Sequence, residues 1–192
     1  MNVDLKKIKK ILIIKPRAIG DVILTTPFLR ALKKAMPDST IDYLLEPFVA
    51  PALYGNPNIN KILVFNRHSA KNELPAVAKM RKNEMNQINS TVKMFKNNVD
   101  LYLHLFKTRY DLVFDLWGNS RTILICIFSM ARYKVGFVYK LRKFFYNVKV
   151  VQDVVPKYNV YHYLDLLKPL LIQPDGERTE IYYSKQDEKY VL

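Results

Sequence analysis

Seven residues near the start of the chain, Lys15 to Asp21 in the run KPRAIGD, bring together two cations, one glycine and one carboxylate. An apolar run, ILII, precedes them, and the helix-like DVILTTPFLRALKKAM follows. A carboxylate at such a strand-to-helix turn can take a proton from an incoming hydroxyl, as a general base does. Its ordinary structural role is to cap the helix, worth about 1 kcal/mol. Asp21 suits either role, and the two are compatible. Gly20 leaves room for a ligand to approach the backbone, and Lys15 and Arg17 add fixed positive charge. The free N–H groups of a helix start favour an anion at the same place. With one glycine the turn is neither a G-x-G-x-x-G fingerprint nor a G-x-x-x-x-G-K-[ST] phosphate loop, so a standard dinucleotide or nucleoside triphosphate site is not supported.

Other residue types that can do chemistry are more scattered. Asp111 and Asp115 flank the strand-like YDLVFDLWG, and Asp115 is a candidate second carboxylate for Asp21. Asn119, Ser120 and Arg121 open a helix after Gly118, a second place for an anion, although capping by Asn119 or Ser120 explains the same residues. Lys79, Arg81, Lys82, Lys93 and Lys96 lie in a basic region, 69–109, and are candidate phosphate contacts or simply a solvated helix face. YKVGFVYKLRKFFYNVKV (133–150) interleaves Lys and Arg with Phe and Tyr. It fits an anionic membrane surface, single-stranded nucleic acid, or an ordinary strand and loop. His68, His104, His162 and Cys126 have no metal-ligand spacing, so no metal is expected. A single cysteine makes no internal disulfide and points to a reducing compartment; inside ILICIFSMA it reads as a small buried hydrophobe.

These residues need a scaffold, and the alternation of elements supplies one. Strands are expected at 10–15, 40–46, 61–66, 110–118 and 133–137. Helices are expected at 21–36, near 48–55, as one long or two consecutive helices over 69–109, at 120–131, and over 158–171 as far as Pro169. Pro27 inside the first helix implies a kink, or an irregular turn with a restart capped by Thr26. A short strand is expected in the tail TEIYY. Strands alternating with helices predict an α/β fold: a Rossmann-like parallel sheet with helices on both faces.

The 192 residues, 49% hydrophobic and 25% charged, suffice for one sizeable globular domain. The net charge of +14 is uneven: residues 61–149 hold 17 basic and 5 acidic side chains. An anionic partner follows from that excess (nucleic acid, anionic lipid or a phosphorylated substrate), or else a solvated basic face. The first apolar run is broken by Lys15 and is too short for a signal core, and ILICIFSMA is about half a membrane span. The chain therefore reads as soluble or peripheral to a membrane.

The stretch from Ile11 to Leu45, with PNINKILVFN, YDLVFDLWGNSRTILICIFSMARYKVGF and the helix around YHYLDLL, resembles glycosyltransferase family 9, the lipopolysaccharide heptosyltransferases. The resemblance covers most of residues 8–172. It implies the N-terminal half of a GT-B fold, two Rossmann-like domains facing across a cleft. In that family the N-terminal domain binds an anionic acceptor, the phosphorylated lipopolysaccharide core or its lipid A end. The C-terminal domain binds a nucleotide sugar, typically ADP-heptose, and transfer is inverting, without metal or cofactor. The resemblance assigns Asp21 as catalytic base and places Gly20 and the preceding KPRA, with Lys15 and Arg17, on the acceptor side; Arg121 joins them from the helix start described above. Where relatives often carry Ser or Thr before Ile–Gly–Asp, this chain has Pro16, Arg17 and Ala18.

The family's donor segment, Asp-[Ser/Thr]-Gly-x-x-His, is absent. The expected organisation is thus an acceptor-binding domain, 1–172, with 173–192 as a linker toward a missing donor-binding domain. The chain reads as a truncated product, a fragment or one part of a split enzyme, with little transfer activity alone. The expected location is the cytoplasm, with peripheral contact at the inner membrane. The alternative is a non-catalytic module that binds anionic glycan or a membrane surface, and nucleic acid is the least favoured partner.

Overall fold

The computed structural model describes residues 3–65, 91–138, 144–152 and 158–182. Seven strands form one sheet: β1 (Lys10–Ile14), β2 (Thr40–Leu45), β3 (Lys61–Phe65), β4 (Val92–Phe95), β5 (Leu112–Asp115), β6 (Tyr133–Phe137) and β7 (Val148–Val150). All pairings are parallel, and the order is β4-β3-β2-β1-β5-β6-β7. A parallel sheet is covered on both faces, which is why its central strands are mostly apolar, with Asp42 and Asp115 as buried exceptions. Ile11 to Ile14 are fully buried.

Helices cover the two faces unequally. Alternate strand residues such as Ile11, Ile13, Tyr43 and Phe114 share one core with α1 (Ile19–Ile23), α2 (Thr26–Ala35) and α5 (Asn159–Asp165). Leu12, Ile14, Leu44 and Val113 share the other with α3 (Asn98–Thr108) and α4 (Ser120–Phe128). The α/β expectation is met in this doubly wound arrangement. From β1 the chain steps outward to β2, β3 and β4, then returns to β5 on the other side of β1. A crevice at the carboxyl ends of β1 and β5 is the ligand position such a reversal creates.

Several boundaries differ from the sequence reading. The helix expected at 21–36 is two helices. Thr25 and Thr26 turn their hydroxyls back to the carbonyls of Val22 and Ile23 at the end of α1. α2 restarts with Thr25 rather than Thr26 at its cap, and Pro27 sits in the first turn, where its missing N–H costs nothing. The helix expected near 48–55 is a 3-10 turn, Ala50–Leu53. Residues 92–95, expected helical within 69–109, are the edge strand β4. Only Phe95 of it is buried, so no alternation marked it, and exposed Lys93 suits an edge. β7 was also missed; at three residues it is too short for a pattern, though Val148 and Val150 point inward around exposed Lys149. α5 ends at Asp165, and Pro169 lies in a separate 3-10 turn, Lys168–Leu170.

The tail strand is not formed at residues 179–182. The chain instead returns to α2 there. Arg30 bonds the carbonyls of Asp175 and Arg178 and the Glu180 carboxylate, and the Glu180 N–H donates to Thr26 Oγ1. No helix among the described residues is long and apolar enough to cross a membrane.

Candidate functional site

β1 delivers Lys15 to the carboxyl edge of the sheet, and the chain must then reverse into α1. Ala18 makes that turn at φ 68°, a left-handed backbone that costs a non-glycine residue about 1–2 kcal/mol. Strain of this kind persists where surrounding structure holds it, often beside a functional site. Asp21 follows in the first turn of α1 and does not cap it. The cap position is Ala18, which has no side-chain hydrogen bond to offer. α1 is only five residues long, so the anion-binding power expected of a long helix start is small here.

The Asp21 carboxylate is committed to Lys15. Lys15 Nζ lies 2.7 Å from Asp21 Oδ2, the lysine side chain 3% exposed and the aspartate 32%. Burial lowers the Lys15 pKa, opposed by its hydrogen bond to Asp21 and by that residue's charge. The same ammonium sits over the Trp117 ring, 4.4 Å from its centroid, and 5.5 Å from that of Tyr163. Tyr163 lies close enough to Asp21 to feel its charge. Burial first, and then the Asp21 charge, holds its phenol well above the ordinary tyrosine range. Beneath them, Tyr43 bonds Thr25 Oγ1 at 3.0 Å, its phenol raised by burial.

Gly20 is exposed, and a methyl group added there would meet no atom within 4 Å. The surface beside Asp21 is therefore open at the backbone. Arg17 gives its Nε to Glu46 at 2.8 Å, which leaves its two η nitrogens without a bond to a described residue. Arg121 lies in the first turn of α4. Its Nη1 is enclosed and has no hydrogen-bond partner among the described residues. An unsatisfied buried donor on a cation is costly, and a ligand anion would satisfy it. No contact joins Arg121 to the Lys15–Asp21 pair.

Asp115 is not a second reactive carboxylate. It is buried and organises the turn after β5. Its Oδ1 accepts the N–H groups of Trp117 and Gly118 at 3.0 and 2.8 Å, and its Oδ2 accepts the Tyr146 hydroxyl at 2.7 Å. Burial raises its pKa against those hydrogen bonds. Asp111 accepts the N–H groups of Lys9 and Lys10 at the opposite end of the strand. Asn119 is the cap of α4, in a reciprocal pair with Thr122. Cys126 is buried beside Asp115, and burial pushes its thiol pKa well up.

The basic stretch 133–150 divides between two strands. Its interleaving comes partly from sheet alternation: Tyr133, Val135, Tyr146, Val148 and Val150 are buried. Phe144 and Phe145 are exposed, and residues 139–143 lie outside the described residues. So do Lys79, Arg81, Lys82 and His68. Lys93 bonds His104 Nδ1 at 2.8 Å, and Lys96 is exposed. Among the described residues no three His, Cys, Asp or Glu side chains gather as metal ligands. A cavity of about 670 Å³ between α5 and residues 171–177 contains none of the predicted site residues.

Sequence reasoning missed Tyr163 and the stacking role of Trp117. Both carry a polar or π handle on an apolar body. That residue type at a strand end or in an amphipathic helix is the one available signal, and it does not name a partner.

No protein-family model matches the chain. Lipopolysaccharide heptosyltransferase 3 of Escherichia coli is 44% identical over 52 residues, 27% of this chain and 15% of that protein. The glycosyl transferase family 9 structure from Veillonella parvula superposes with TM-score 0.67 at 24% identity, covering 95% of this chain and 47% of that one. The Escherichia coli ADP-heptose lps heptosyltransferase II superposes with TM-score 0.63 at 19% identity, covering 94% and 49%. The chain thus spans about half the length of these solved relatives.

Proposed function

We propose that this chain, which belongs with glycosyltransferase family 9 by sequence similarity and fold, is the acceptor-binding half of a heptosyltransferase-like enzyme. The observation that carries the reading is the Lys15–Asp21 pair at the crevice between β1 and β5, beside the open backbone of Gly20. The donor is a nucleotide sugar, ADP-heptose by analogy with the relatives, bound by the half that this chain does not span. The acceptor is an anionic glycan or glycolipid of the lipopolysaccharide core type.

In this reading an acceptor hydroxyl lies against Asp21. Its oxygen attacks the anomeric carbon of the donor while the bond from that carbon to the diphosphate breaks. The hydroxyl proton passes to Asp21, and the sugar inverts. One base suffices, because no covalent intermediate forms. Lys15 and Tyr163 orient the carboxylate from below. Arg17 and Arg121 take the acceptor's phosphates or carboxylates, and a basic domain favours that charge from a distance. Residues 1–172 form the acceptor-binding domain, and 173–192 lead toward the donor half. The work is done at the cytoplasmic face of the inner membrane.

The test is calorimetric titration of the chain with a phosphorylated lipopolysaccharide core oligosaccharide and, separately, with ADP-heptose. The reading expects the oligosaccharide to bind, ADP-heptose to bind weakly or not at all, and the mixture to give little transfer. Binding of RNA that the oligosaccharide does not displace would refute it, as would efficient transfer by this chain alone.

A further inference from the structure

α3 and α4 cover one face of the sheet side by side, and the outer surface of the pair is apolar. Val99, Leu103 and Phe106 on α3, Leu124 and Ile127 on α4, and Met130 just beyond it are each 43–63% exposed. Scattered exposed apolar residues are ordinary, but a contiguous patch across two helices marks an interaction surface. The stack of Tyr102 on Phe128, centroids 4.6 Å apart, ties the two helices into one plate.

The charge around the plate is mostly positive. Lys96, Lys107, Arg109 and Arg132 flank the two helices, are exposed, and have no carboxylate partner among the described residues. Between residues 91 and 134 there are only three acids, Asp100, Asp111 and Asp115. Asp111 and Asp115 are held by backbone N–H groups, as described above. Exposed Phe144 and Phe145 lead into Tyr146, which packs in the same layer as α4.

We infer that the outer face of α3 and α4 docks on an anionic lipid bilayer. An apolar face with cations at its rim and one carboxylate, Asp100 in the first turn of α3, is what the interface of such a bilayer attracts: aliphatic and aromatic groups enter the acyl boundary, and the four cations outnumber the single acid at the headgroups. A second copy of the chain fits poorly, because it would bring one basic rim against another. Arg121 and Ser120, one turn from Leu124, sit at the crevice edge. Docking through this face therefore places the crevice near the bilayer surface. The inference rests on these two helices and not on the transfer chemistry, so it can fail while the role of Asp21 stands.

Vesicle sedimentation of the full 192-residue chain tests it. Phosphatidylcholine vesicles with and without phosphatidylglycerol are compared at low and high salt. The expected result is binding to the anionic vesicles alone, weakened by salt. Leu103→Ser with Ile127→Ser, and separately Lys107→Glu with Arg109→Glu, each lowers that binding about tenfold or more. All four side chains are exposed, so circular dichroism should report unchanged folding. If the serine variant misfolds, the charge variant decides. Binding to neither vesicle, or equal binding to both, overturns the inference. So does wild-type binding by both variants, or a wild-type dimer that the serine variant dissociates.

Discussion

Lys15 and Asp21 stand on opposite sides of one reversal of the chain and meet at 2.7 Å, with the lysine enclosed and the aspartate open to solvent. The pair is therefore asymmetric. The buried partner can only orient, and the exposed one can meet a substrate. Replacing Lys15 by Met keeps the volume under Trp117 and removes a buried charge, while Asp21 stays hydrated. Stability should change by less than about 1 kcal/mol. Transfer by an enzyme that joins this domain to a donor-binding half should fall about tenfold or more, because the carboxylate loses its main orienting contact. Thermal melts and initial rates read the two effects separately.

Gly20 separates stability from function in the opposite way. Its φ is not in the left-handed region, and an added methyl group meets nothing. Gly20→Ala should leave the melting temperature unchanged or raise stability by about 1 kcal/mol, the helix preference of alanine. If an acceptor passes close to this backbone, the same change weakens acceptor binding. Titration with a phosphorylated core oligosaccharide measures that loss, and unchanged affinity would remove Gly20 from the site.

Gly136 is glycine for a packing reason. A Cβ there would stand 2.7 Å from the Tyr146 ring, whose hydroxyl holds Asp115. Gly136→Ala should destabilise the domain by about 1–3 kcal/mol through overpacking. Chemical denaturation should show the two sites coupled: Gly136→Ala costs less when Tyr146 is already alanine. Additive effects would contradict the contact.

Burial holds the Asp115 carboxyl above its ordinary range, against the hydrogen bonds of Gly118, Thr122, Tyr146 and Trp117. The folded protein then keeps a proton that the unfolded chain has released. This contribution to stability therefore falls as pH rises from the ordinary aspartate value, about 3.9, through the folded one. Asp115→Asn removes the titration and keeps an acceptor for the two N–H groups. It should flatten the pH profile and be at least as stable at neutral pH. Asp115→Ala orphans both N–H groups and should cost about 1–3 kcal/mol. Melting across the pH range checks both, and an asparagine variant less stable than the alanine one would refute the assignment.

What the sequence disclosed follows the physics of burial. β1 and β3 are apolar runs after a leading lysine, β2 is interrupted by Asp42, and the ends of all three lie within a residue of expectation. β4 and β7 are short edge strands with one or two inward side chains, which leaves too little pattern to find. Pro27 announced the break between α1 and α2, but both threonine hydroxyls turn back to α1, and only the backbone shows that Thr25 rather than Thr26 stands at the cap position. At the site, Lys15, Gly20 and Asp21 were found because a strand-to-helix turn puts its own residues together. Trp117 and Tyr163 reach the same place from residues about 100 and 150 further along the chain, and only the β1–β5 pairing and the seating of α5 bring them there. The partners of Asp115 were equally out of view. Its strand position faced the right edge, but its oxygens were already taken by its own turn and by Tyr146.

The most direct measurement is transfer by Asp21→Asn in an enzyme joining this domain to a donor-binding half, with acceptor affinity measured on the same protein. Asparagine keeps the size and a hydrogen-bonding oxygen for Lys15 and cannot take the proton. The account predicts a loss of turnover of about a hundredfold or more, the range of a general base, with acceptor affinity changed less than about threefold. Turnover that survives the substitution would contradict it, and the chain would then read as a binding module.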